Sequence, residues 1–319
     1  MSPTATRRNA ATRGNAATRG NAAPEQRIEV RKTYKLYIGG AFPRSESGRT
    51  YEVSDSRGGF LANAAMGSRK DARDAVVAAR AAFGKWATAT AYNRGQVLYR
   101  VAELMEGRRA QFAAEVAAAE GLTPARADKV VSQAIDRWVW YAGWSDKIAQ
   151  VLGAVNPVAG PYFNISAPEP TGVVAALAPQ RSSLLGLVCV LAPIVVSGNT
   201  AVVLTSEHRP LPAVTLSEVL ATSDVPAGVI NLITGRTAEV APWLASHQDV
   251  NAIDLAGAAD ADNLAWADLE HAGAENLKRV LRPAGNGADA VEPDWSRTPD
   301  LTRITAFLET KTVWHPKGR

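Results

Sequence analysis

The stretch EPTGVVAALAPQRSSLLGLVCVLAPIVVSGNTAVVLTSE, residues 169–207, decides how this chain folds. It opens near one short β-rich run, GVVAALA, and closes near another, TAVVL. Between them LLGLVCVLAPIVV (184–196) is apolar throughout. Two further runs, GVINLIT and NAIDLAG, follow, separated by helical stretches. Such alternation predicts an α/β fold with a parallel sheet and crossover helices.

The apolar run also holds the only cysteine, Cys189. The thiolate is the nucleophile, and apolar burial raises a thiol's pKa. Cys189 is therefore expected to be a small core residue, not a catalyst. A single cysteine cannot form an internal disulfide, which fits a reducing, cytoplasmic setting. At 13 residues the run is short of the ~20 needed to span a bilayer, and it contains Pro193. No membrane association is expected, and the polar, arginine-rich start does not read as a secretory signal.

Upstream, KLYIGGAFPRSESGRTYEV reads as a short hairpin, two β-rich runs around Gly and Pro. Three helices follow. Ala72, Val76, Ala79, Phe83 and Trp86 mark the first. Leu98, Val101, Met105, Phe112 and Val116 suggest a longer second helix, and Val131, Ile135, Trp138 and Ala142 a third. In residues 157–174, Tyr162 to Ser166 alternate between flanking prolines, as an edge hairpin does.

Residues 5–22 repeat the hexamers ATRRNA, ATRGNA and ATRGNA. They lack large apolar side chains and cannot offset the entropy of ordering, so residues 1–28 are expected to be a disordered basic tail. Net charge is +4, yet the first 35 residues carry eight Lys/Arg against two Glu. The rest of the chain is therefore slightly acidic, and no nucleic-acid partner is expected. The four histidines, His208, His247, His271 and His315, show no metal-ligand spacing, so no metal site is expected.

Several ordered motifs resemble the aldehyde dehydrogenase superfamily. LYIGG looks like its opening strand, and YAGWSDKI (141–148) like the end of its third helix. EPTGVVAALAP (169–179), APIVVSGNTAVVLTSE (192–207), VPAGVINLITG (225–235) and ETKTVW (309–314) look like later blocks. The likeness runs from about 34 to 282 and again from about 301 to 316. It implies an NAD(P)-binding, Rossmann-type domain over 29–282. It also implies a small antiparallel oligomerisation sheet, built from the hairpin at 157–170 and a C-terminal strand within 301–319. In the family a catalytic domain lies between these parts. Here residues 283–300 read as a linker in its place.

The family's chemistry uses a cysteine nucleophile, an asparagine that holds the oxyanion and a glutamate base. The cysteine belongs to the absent domain. Arg181 stands at the asparagine position, and LRPAG (281–285) replaces the glutamate motif. The expected catalytic set is therefore empty. Of the cofactor contacts, Ser206 and Glu207 survive, but Leu204 replaces the family's lysine. Gly257 remains of the phosphate turn, followed by Asp260, whose charge opposes a pyrophosphate. The expectation is no NAD(P) binding, or weak binding. Tyr162, Phe163, Lys311, Val313 and Trp314 are the expected interface residues. The functional expectation is an inactive subunit that assembles with a full-length aldehyde dehydrogenase paralogue. The alternative is an NAD(P)-dependent oxidoreductase acting on a small aldehyde.

Overall fold

The computed structural model describes residues 32–285 and 290–318. The repeats expected to be disordered lie outside the described residues, as do 286–289 of the segment read as a linker.

The four β-rich runs form parallel strands β5 (Val173–Leu177), β6 (Thr200–Leu204), β7 (Ile230–Ile233) and β8 (Ala252–Asp254). A fifth strand, β9 (Arg279–Leu281), completes a sheet of order β7-β6-β5-β8-β9. Every residue of β5 and β6 is buried, because helices cover both faces of a parallel sheet. Alternate residues divide between two cores. Val174 and Ala176 face one with Ala201 and Val203. Val173, Ala175 and Leu177 face the other with Val202 and Leu204.

The first core holds α2 (Ala91–Gly107), α3 (Arg109–Glu120), α4 (Pro124–Trp144), α5 (Ile148–Leu152), α6 (Leu185–Val196) and α7 (Leu211–Leu220). All twelve residues of α6 are buried, which is why its sequence has no polar face. The second core is built by α1 (Arg69–Ala87), α8 (Thr237–Ser246) and α9 (Trp266–Ala274). A capping box of Ser68 and Asp71 starts α1, and the Thr123 hydroxyl with Pro124 starts α4.

Four expectations need correction. LYIGG does not pair with the TYEV run. Gly39 and Gly40, both at positive φ, turn the chain between Ile38 and Ala41. Tyr37 and Leu232 then exchange backbone hydrogen bonds of 3.0 and 2.7 Å, placing this segment beside β7. The N-terminal hairpin instead joins β1 (Thr50–Ser54) to β2 (Phe60–Ala65). The long second helix breaks at Arg108, between α2 and α3. Met105 and Phe112 are seven residues apart, so the apolar stripe runs across the break unchanged.

The hairpin at 157–170 begins earlier, with β3 (Ala154–Asn156), and its second strand is β4 (Tyr162–Pro170). Finally, β4 is no edge. It lies between β3 and the last strand, β10 (Leu308–Pro316), which pairs with it along nine residues. A short helix, α10 (Thr302–Thr305), leads into β10, with Ile304 and Phe307 fully buried. No helix among the described residues is long and apolar enough to cross a membrane.

Candidate functional site

Strand order reverses between β5 and β8, and a crevice at such a switch point is where open α/β sheets bind ligands. Here the crevice is lined by the loop after β5, the loop after β6 and the 3-10 turn Ala256–Ala258. Gly257 packs so closely on the backbone that an added Cβ would stand 2.1 Å from the Ala178 carbonyl oxygen. Only glycine fits there.

Gln180 ties the loops together. It is buried; its amide donates to the Ala178 carbonyl at 3.0 Å, and its Oε1 accepts from the Glu207 N–H at 2.9 Å. Its own carbonyl accepts the Ser206 hydroxyl at 3.0 Å. Glu207 is buried at the start of α8. Its carboxylate accepts the Thr237 N–H at 2.8 Å and pairs with Arg236 at 2.6 Å. A carboxylate suits a helix N-terminus, where unpaired N–H groups and the dipole both favour it. Ser206 and Glu207 thus bind loops and a helix to one another. Glu207→Ala should cost about 2 kcal/mol, since it strips a charge-assisted cap and leaves buried donors unmatched. Urea unfolding reads this. An unchanged midpoint would mean that the carboxylate has no structural role.

Arg181 reaches across the crevice to the Asp260 carboxylate and accepts at its own carbonyl from Arg209. A second carboxylate enters from the segment read as a linker: Glu292 accepts the N–H groups of Gln180 and of Arg181, the latter at 3.0 Å. As arranged, these side chains do not fit a dinucleotide. Glu207 is committed to α8, Leu204 supplies no cation, and Asp260 and Glu292 add carboxylates to the same loops, whose charge opposes a pyrophosphate.

Burial raises the Glu292 carboxyl above its ordinary range, against the amide bonds that lower it. A carboxyl raised in this way holds its proton better folded than unfolded. Its contribution favours the fold below the unfolded pKa and is lost as pH climbs through the folded value. Glu292→Gln keeps an acceptor and removes the titration. It should be more stable than the parent near neutral pH, with the gap closing by about pH 3.5, below the ordinary Glu pKa. Urea midpoints at both pH values test this, and a pH-independent gap refutes it.

Cys189 is buried on α6, and burial raises its thiol above the usual range. Glu207, His208 and Asp262 bring ligand atoms within 4.8 Å of one another, a grouping that histidine spacing does not reveal. Both Glu207 oxygens are already bonded, however, and His208 lies 2.9 Å from Asp262. These bonds already occupy the grouping, which does not present a free ligand set.

The expected interface residues fall on two faces of the small sheet. Phe163, Lys311 and Val313 share one face by register; Tyr162 and Trp314 share the other, with ring centroids 5.8 Å apart. Val155, Ile165 and Val313 stand side by side across all three strands, and all are exposed. The opposite face carries a polar ladder. Asn156 donates to Asn164 at 2.6 Å and to Ser166 at 2.8 Å, and Ser166 meets Thr312 at 2.8 Å.

Sequence reading missed Gln180, Glu292 and Arg236. The one available signal for Glu292 was its neighbour Trp295, an aromatic out of place in a loose linker. Trp295 packs against the first core.

A sequence profile described as the aldehyde dehydrogenase family matches residues 42–307. An aldehyde dehydrogenase of Enchytraeus buchholzi is 32% identical over 279 residues, covering 85% of this chain and 54% of its own length. Retinal dehydrogenase 2 of Gallus gallus is 33% identical over 267 residues, 82% of this chain and 50% of its own. The chain thus spans about half the length of the curated relatives it matches. Among solved structures, HpcC of Thermus thermophilus superposes with a TM-score of 0.72 at 27% identity, covering 78% of this chain and 47% of that one. An aldehyde dehydrogenase of Bacillus cereus gives 0.71 at 26% identity, over 78% and 50%.

Proposed function

This chain belongs to the aldehyde dehydrogenase family, and from that premise we infer that it acts as a non-catalytic subunit of a full-length family member. It lends its three-stranded sheet to that partner. It binds NAD(P) weakly or not at all. The observation that carries the reading is the exposed apolar row Val155, Ile165 and Val313, continued by Phe163, on a sheet whose outer strands pair with no further strand among the described residues. Such a face and such edges favour a partner. Support also comes from the crevice, where Arg181 is paired with Asp260 and the Glu207 carboxylate is bonded to Arg236 and the Thr237 N–H.

Co-expression with a full-length aldehyde dehydrogenase, followed by native mass spectrometry, should give a mixed assembly. Phe163 is well exposed and lies on the same face as the apolar row, so Phe163→Ala should weaken that assembly by at least about 30-fold, the loss typical of a hot-spot residue. A monomer alone beside its co-expressed relative would overturn the reading. So would steady oxidation of an aldehyde by the purified chain with NAD or NADP.

A further inference from the structure

The segment at 290–303 crosses α4 and α6 and roofs a cavity of about 320 Å³. This lies on the low side of the ~300–1,000 Å³ usual for small-molecule sites. Its walls are largely apolar, with Tyr141 and Leu281 below and Trp295 above. Arg303 lies over the Trp295 ring, 4.9 Å from its centroid.

Arg137 is the unusual group. It is 8% exposed, and one end of its guanidinium donates to the carbonyls of Trp295, at 3.0 Å, and of Arg297. Its Nε is buried with no hydrogen-bond partner. The other arginines of the cavity are matched: Arg303 by Asp254, Arg282 by Glu270 and Arg297 by Asp294. Arg137 pairs with no carboxylate among the described residues. Asp300 also lines the cavity, but its carboxylate accepts the Thr302 N–H at 2.9 Å. A guanidinium out of water with only neutral acceptors is costly, and in such surroundings an anion is held strongly.

We propose that this cavity binds a small carboxylate with a compact or flat apolar body. The carboxylate sits on Arg137 and the body lies against Trp295 and Tyr141. The site is separate from the switch-point crevice and from the exposed sheet. It needs neither a dinucleotide nor a protein partner.

The sole cysteine makes the test specific, because Cys189 lines the same cavity, with Sγ 3.9 Å from the Trp295 carbonyl. Benzoate and its neutral isostere benzamide are titrated into the full chain by calorimetry, and alkylation of Cys189 by iodoacetamide is timed with each. Benzoate should bind at least about tenfold more tightly, as expected for charge-assisted hydrogen bonds. It should also slow alkylation several-fold, while benzamide does neither. Arg137→Met should bring benzoate down to the level of benzamide. Equal binding of the two probes, or alkylation unmoved by benzoate, overturns the proposal. That comparison is made on the unmodified chain, so it stands even if Arg137→Met does not fold.

Discussion

Asp254→Asn should destabilise the fold by about 3 kcal/mol, the low end of the range for breaking a buried ion pair. Asp254 is fully buried at the end of β8, where it pairs with Arg303 and accepts the Ala256 N–H at 3.0 Å. Asparagine can still accept from Ala256. What it cannot do is neutralise Arg303, whose side chain is only 17% exposed. The pair joins β8 to α10, and so connects the parallel sheet to the segment that feeds β10. The double variant Asp254→Asn/Arg303→Met removes both charges and should recover most of the loss. Urea unfolding of the four proteins gives the coupling. Additive losses would mean that the two side chains act independently.

Asn199→Ala should cost about 4 kcal/mol. Asn199 is fully buried; its amide donates to the Phe307 carbonyl and to the Ser197 hydroxyl, both at 2.8 Å. Its oxygen accepts the Gly172 N–H, also at 2.8 Å. Alanine leaves the Gly172 N–H unpartnered, at about 1–3 kcal/mol for a buried group, and removes two further hydrogen bonds, at about 1 kcal/mol each, while the Phe307 carbonyl keeps the Thr171 N–H at 3.2 Å. In a chain of this size the melting temperature should fall by roughly 8 °C or more. The damage should be uneven, since Phe307 is the last residue before β10. Amide exchange along 308–316 should accelerate before the rest of the sheet responds. A uniform loss of protection would show that Asn199 supports the core without holding the C-terminal strand.

The core strands were legible because β5 and β6 are buried on both faces, and such strands read as nearly unbroken apolar runs. The first and third helices were legible from one-sided apolar spacing, and capping residues stand at their starts. The break at Arg108 was hidden because Met105 and Phe112 keep helical phase across it. LYIGG was misplaced because its partner, Leu232, is far along the chain, and local alternation cannot point there. The site was harder for the same reason. Gln180, Glu207, Arg236 and Glu292 meet from four separate loops, and each is an ordinary polar residue in its own surroundings. Glu207 was identified through a resemblance that ties it to a nucleotide. The fold uses it as a helix cap, a role that depends on where Thr237 happens to lie.

The pairing of β4 with β10 has a consequence for biosynthesis. Register partners Ile165 and Val313 are separated by almost the whole parallel-sheet domain. During translation β4 must wait, with only the three residues of β3 beside it, until 308–316 leave the ribosome. Pairing across so long a stretch is slow. The pairing of β4 with β10 therefore forms late, together with the part of the first core that Ile304, Phe307 and Leu308 supply.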